Sequence, residues 1–209
     1  MPVPVLGKGR QQSMKRVRVR VILPIFLAAL LLILLVVMGR TTQSLLKIII
    51  YTDFECGACG KLHSEVEPEL RERYVATGKA QIEMRLLGAM DPDSMRAAQA
   101  ALCAGDQGCF LEYEDALFDA WREEEDSAVF SVEALVDLAG ELGLDEAAFA
   151  SCLNSEAKQA ELEENMSMAQ ADGVGTLPAF LIGDFKIEGY KPLDTYIQAI
   201  EQALAVQTP

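Results

Sequence analysis

The chain has 209 residues, 51% of them hydrophobic, and carries 32 acidic against 18 basic groups for a formal net charge of −14. That length admits one domain of ordinary size with room for an added segment. A balance this acidic argues against a nucleic-acid binder, because a phosphate backbone demands Lys and Arg, and fits a solubilising surface instead.

The charge is divided unevenly. Residues 1–40 hold seven basic groups and no acid, whereas 41–209 hold eleven basic and thirty-two acidic groups, a net of −21. Residues 1–20 form a basic N-terminus. They precede Val21–Gly39, an uncharged run (VILPIFLAALLLILLVVMG) that as a helix would be about 28 Å long, close to the roughly 30 Å hydrocarbon core of a bilayer. The spacing predicts a single transmembrane helix, a signal anchor with the N-terminus in a bacterial cytoplasm and the remainder outside. A cleaved export signal is the competing reading. Its apolar region would run to about 7–15 residues before a small-residue site, and the run here is longer. Met14-Lys15-Arg16 is an alternative start. Both readings export the rest of the chain. Residues 40–46 form a linker of at most about 25 Å, and 47–209 the exported domain.

Leu46-Lys47-Ile48-Ile49-Ile50-Tyr51 opens a buried strand over 46–52. Cys56-Gly57-Ala58-Cys59 follows, and a helix is predicted from Cys56 or Gly57 to about Ala76, kinked at Pro68 and ended by Thr77-Gly78-Lys79. Residues 81–87 alternate at period two, a second strand. From 93 to 172 the pattern is helical, with helices at 93–104, 109–122, 131–142, 145–153 and 155–171. Strands return at 178–182 and 186–190 around Gly183-Asp184, and a helix over 192–206 closes the chain. The order is strand, helix, strand, helical block, two strands, helix. That is an α/β, thioredoxin-like sheet with an all-helical insertion.

The chemistry lies in the Cys-x-x-Cys. A strand that delivers two cysteines to the first turn of a helix exposes one thiol to unpaired N–H groups, which favour thiolate over thiol. Cys56 is then the attacking thiol and Cys59 the resolving one. Structural zinc would need a second such pair, which is missing, and His63 is the only histidine. No metal and no cofactor are expected. His63 is assigned to the helix surface, and Tyr51, Phe54 and Phe180 to core or groove lining. Of the remaining cysteines, Cys103–Cys152 is the preferred structural disulfide, tying two helices of the insertion, with Cys109–Cys152 as the alternative.

The segment Asp53-Phe54-Glu55-Cys56-Gly57-Ala58-Cys59-Gly60-Lys61-Leu62-His63 resembles the active-site segment of DsbA-like thiol–disulfide oxidoreductases. So does Ala101-Leu102-Cys103-Ala104-Gly105-Asp106-Gln107-Gly108 within the insertion. Gly173-Val174-Gly175-Thr176-Leu177-Pro178-Ala179-Phe180 is similar to that family's cis-proline loop. The likeness runs over residues 46–205. It implies a cis bond before Pro178 and a substrate-binding edge at Thr176, Leu177 and Pro178. It also implies exported cysteine-containing proteins as substrates and reoxidation by a quinone-linked membrane partner of the DsbB or VKOR type. Two departures stand out. Ile50 occupies the position, six residues before the first cysteine, where many relatives carry an acid that takes the proton of the buried thiol; water or Glu55 would have to replace it. The Gly-Ala dipeptide between the cysteines matches neither strong oxidants nor thioredoxins. The expected activity is disulfide formation in exported proteins. The alternatives are a reductase or isomerase on the same fold, and a binding or assembly factor whose disulfide is structural.

Overall fold

Strand β1, Leu46–Thr52, is the spine of the domain. It belongs to a computed structural model that describes residues 45–124 and 126–207. The basic stretch 1–20, the apolar run 21–39 and most of the linker lie outside the described residues. Among the described residues no helix is long and apolar enough to cross a membrane. β1 pairs in parallel with β2, Ala80–Leu86, and antiparallel with β3, Ala179–Ile182, which forms a hairpin with β4, Phe185–Glu188. The sheet order is β2-β1-β3-β4. β1 is covered on both faces, which accounts for its unbroken isoleucines. Leu46, Ile48 and Ile50 pack with Leu62, Leu70, Tyr196 and Ile200, whereas Tyr51 packs with Leu87, Ala169 and Ala179.

The helix expected over 56–76 is divided. α1 spans Gly57–Glu65, α2 spans Glu67–Leu70, and a π-helical turn covers Arg71–Val75. The break falls at Val66, where φ is −117°. Pro68 has no N–H to return to Ser64, and its ring crowds the carbonyl one turn earlier, so the chain bends before the proline. The insertion follows: α3 (Pro92–Asp106), α4 (Phe110–Glu124), a 3-10 turn (Ser127–Phe130), α5 (Val132–Glu141), α6 (Glu146–Asn154) and α7 (Gln159–Ala171). Asp91, Ser131 and Asp145 cap α3, α5 and α6 through their side-chain oxygens. α7 starts four residues later than the periodicity implies, because Glu156 enters the left-handed region (φ 52°) and ends the preceding helix. α8, Leu193–Gln207, closes the sheet face occupied by α1 and α2.

Cys103 on α3 and Cys152 on α6 are joined, with Cα atoms 6.0 Å apart, and Cys109 is free. The bridge spans 49 residues, which in the chain-entropy picture limits the unfolded ensemble by about 4 kcal/mol. Cys152→Ala is expected to lower the unfolding free energy in urea by about that amount. An unchanged transition midpoint would show that the link does not constrain the unfolded chain.

Candidate active site

The loop between β1 and α1 is fastened before the cysteines begin. Asp53 is buried and accepts hydrogen bonds from the Glu55 N–H (3.1 Å), the Ala89 N–H (2.7 Å) and the Ser94 hydroxyl, whose one proton is shared between the two carboxylate oxygens (2.9 and 2.8 Å). One carboxylate thus ties the end of β1 to the segment after β2 and to the first turn of α3. A buried acid with this many donors is satisfied rather than strained. Phe54 beside it is fully buried and packs on Phe118 of α4.

Cys56 is the N-cap of α1. Its backbone is extended, and its Sγ accepts from the Cys59 N–H at 3.3 Å. The two sulfurs are bonded, with Cα atoms 5.1 Å apart. Cys56 is half-buried and Cys59 fully buried. No acidic residue occupies the first turn of α1, so nothing on the helix itself opposes negative charge at Cys56. A sulfur in this position gains from the helix N–H groups as an anion, while its partner is shielded.

The Leu177-Pro178 peptide is cis. Thr176 is exposed, Leu177 half-buried and Pro178 buried. Leu177 and Cys56 pack against the same apolar cluster that contains Cys59. Leu177 makes no hydrogen bond among the described residues, while the Pro178 carbonyl is taken by the Gly189 N–H at 2.8 Å. The Glu188 carboxylate accepts from the Gly175 N–H at 2.7 Å and pins the approach to this loop.

Two placements differ from expectation or were not foreseen. His63 is not on the helix surface. Its side chain is 11% exposed, stacked on Phe118 at 4.6 Å between ring centres, because α4 packs over this side of α1. Glu55 belongs to an acid pair with Asp91. The Ser94 N–H holds Asp91 below the usual carboxylate range, whereas desolvation, then Asp91, pushes Glu55 up to about 7. Ile50 is fully buried opposite Met84 and Phe180, an apolar site with no titratable group of its own. Asp53, Ser94 and Asp91 were missed as site residues. The one available signal was Asp91-Pro92, a capping acid followed by a proline at the first helical position.

A family model described as thioredoxin matches residues 36–202. The chain belongs to that family. It is 26% identical over 176 residues to a Rickettsia prowazekii protein provisionally named a protein-disulfide oxidoreductase, and 25% identical to the Rickettsia typhi protein of the same name. Each alignment covers 82% of this chain but only 62% and 63% of the relative, so the chain spans about three-fifths of their length. Among solved structures, it is similar to BdbD from Bacillus subtilis in its oxidised form, with a TM-score of 0.72 at 17% identity, covering 79% of this chain and 90% of that one. It is also similar to Chlamydia trachomatis DsbA, with a TM-score of 0.67 at 24% identity, covering 81% and 91%. The thioredoxin-like fold with a helical insertion is therefore the one present.

Glu55 yields a pH prediction in the oxidised protein, where Cys56 and Cys59 do not titrate. Its folded-state pKa is raised, so between the ordinary carboxylate value and about 7 the folded chain holds a proton that the unfolded chain releases. Its contribution to stability is thus present at low pH and lost as the pH rises to about 7. Glu55→Gln is expected to melt at the same temperature as the parent at low pH and above it at neutral pH. A melting difference that does not vary with pH would contradict the shift.

Proposed function

We propose that this thioredoxin-family chain is a DsbA-like, extracytoplasmic protein dithiol–disulfide oxidoreductase that forms disulfides in exported proteins. The observation that carries the proposal is the Cys59 N–H directed at Cys56 Sγ, 3.3 Å away, at the start of a nine-residue helix. The names of the Rickettsia relatives support the same reading. In the reaction, a substrate thiolate attacks Cys56 Sγ. The Cys56–Cys59 bond breaks, and Cys59 leaves with the electron pair and takes up a proton. A second substrate thiolate then attacks the substrate's own sulfur in the mixed disulfide and expels Cys56 as a thiolate. The substrate has lost two electrons and the pair has gained them. Ile50 offers Cys59 no proton partner, and Glu55, which titrates near neutral pH, is the candidate to serve. A quinone-linked membrane protein of the DsbB or VKOR type would take the electrons onward.

The edge at Thr176, Leu177 and Pro178 is the proposed docking strip. The unpaired Leu177 backbone suits an extended substrate segment, which gives affinity through main-chain hydrogen bonds and little sequence preference. Residues 21–39 are proposed as a single-span anchor that holds the domain at the outer side of the cell membrane.

Cys59→Ala is expected to leave Cys56 able to attack but without its internal partner, so mixed disulfides with exported cysteine-containing proteins accumulate on non-reducing gels. A variant that traps nothing, together with a parent chain inert toward a dithiol peptide, would point to a structural disulfide and a binding role. For topology, protease added to intact spheroplasts is expected to remove the domain and spare a short membrane fragment. Recovery of a freely soluble protein beginning near Arg40 would refute the anchor.

A further inference from the structure

Behind the redox pair lies a second set of titratable groups for which thiol exchange has no use. His63, Glu67 and Arg71 follow Cys59 at intervals of four along α1, α2 and the start of the π turn, and Glu114 meets them from α4. Glu67 and Glu114 are buried, with side-chain exposures of 2% and 0%. Arg71 Nη2 donates to Glu67 Oε2 at 3.3 Å but stands 3.7 Å from Glu114 Oε2, too far for a hydrogen bond. His63 Nε2 lies 2.9 Å from Asp115 Oδ1, so the imidazole proton is assigned to that nitrogen and Nδ1 keeps its lone pair. Nδ1 sits 3.6 Å from Glu67 Oε2. Within this cluster, four buried atoms have no hydrogen-bond partner among the described residues: His63 Nδ1, Glu67 Oε1, Glu114 Oε1 and Glu114 Oε2.

Acceptors therefore face acceptors in a place nearly closed to water. Two carboxylates against one guanidinium leave a negative charge in excess, and burying an uncompensated charge is costly. One donor atom from each of His63, Glu67 and Glu114 lies within 4.8 Å of the others. A cation with bonds of about 2.0–2.4 Å spans that spread after small side-chain rotations. We propose that His63 Nδ1, Glu67 and Glu114 form a binding site for one divalent transition-metal cation of the zinc class. A nitrogen ligand selects such an ion over magnesium or calcium. Asp115 is the outer carboxylate that orients the ligating imidazole through its other nitrogen, a recurring partner of metal-bound histidine. It is 69% exposed and marks the way in from solvent. With the ion, the charges of Glu67, Glu114, Asp115 and Arg71 sum to zero. The site links α4 of the insertion to the redox helix one turn below Cys59. It involves neither cysteine and does not depend on the direction of thiol exchange.

The test uses the full chain purified in detergent, with both disulfides oxidised and Cys109 alkylated so that no thiol competes for metal. Calorimetric titration with zinc ion is expected to show saturable one-to-one binding, and the melting temperature is expected to rise with zinc. Glu67→Gln and Glu114→Gln should each weaken binding on the order of tenfold or more. His63 is the sole histidine, so its Nδ1 resonance in a nitrogen-15 spectrum reports the site without any substitution and should shift on adding zinc. No saturable binding, binding indifferent to the two Glu variants, or an unmoved Nδ1 resonance would each overturn the proposal. A metal-indifferent chain in which Glu114→Gln raises stability would assign the neutralising charge to a proton on Glu114 instead. Burial favours such a proton.

Discussion

Everything in the domain is organised around one contact, the helix N–H that meets the Cys56 sulfur. A cysteine used as an N-cap places its Sγ where an oxygen of Ser or Asp would ordinarily sit. The arrangement is modest while the sulfur is neutral and in a disulfide. It strengthens when the bond opens and the sulfur becomes an anion, because the same N–H groups then face a full charge. The rest of the site serves to keep that geometry fixed. β1 supplies a rigid lead-in, buried on both faces. Asp53 accepts from three donors and clamps the loop to the start of the insertion. Phe54 anchors the loop to Phe118 of α4. The loop therefore has little freedom to carry Cys56 away from the helix.

The insertion does more than enlarge the protein. α4 covers the side of α1 that would otherwise be open, and it brings both Phe118 and Glu114 against residues that follow Cys59. The apolar contacts at this junction favour packing, whereas its buried acids oppose it unless their charge is neutralised. Arg71 supplies part of that neutralisation. At this junction polar burial and core packing compete, one helical turn from Cys59.

Most of the fold was legible because its elements carry strong local signals. The isoleucine run of β1, the period-two alternation of β2 and the capped helices of the insertion each have one reading. The division of the first helix was half legible: Pro68 announces a disruption, but only packing shows that the chain bends at Val66. The pairing of Cys56 with Cys59 was legible because its spacing is written in contiguous residues. The groups around it were not. Asp53 reaches Ala89 and Ser94 across about forty positions of sequence, and Glu55 meets Asp91 over a similar span, so their roles exist only after folding. Glu114 left a faint trace, since it lies between Phe110, Leu117 and Phe118 on the apolar side of α4. His63 was misplaced for the same reason, because nothing local reveals that another helix will cover it.

The central claim is that the Cys56–Cys59 pair is redox-active because its reduced form is stabilised at the helix end. The reduction potential of that pair, measured by equilibrating the domain in glutathione buffers, tests this most directly. Thiolate stabilisation predicts a potential well above about −300 mV, in the range of exchanging dithiols. A value below about −300 mV would mark the pair as a structural disulfide and contradict the account.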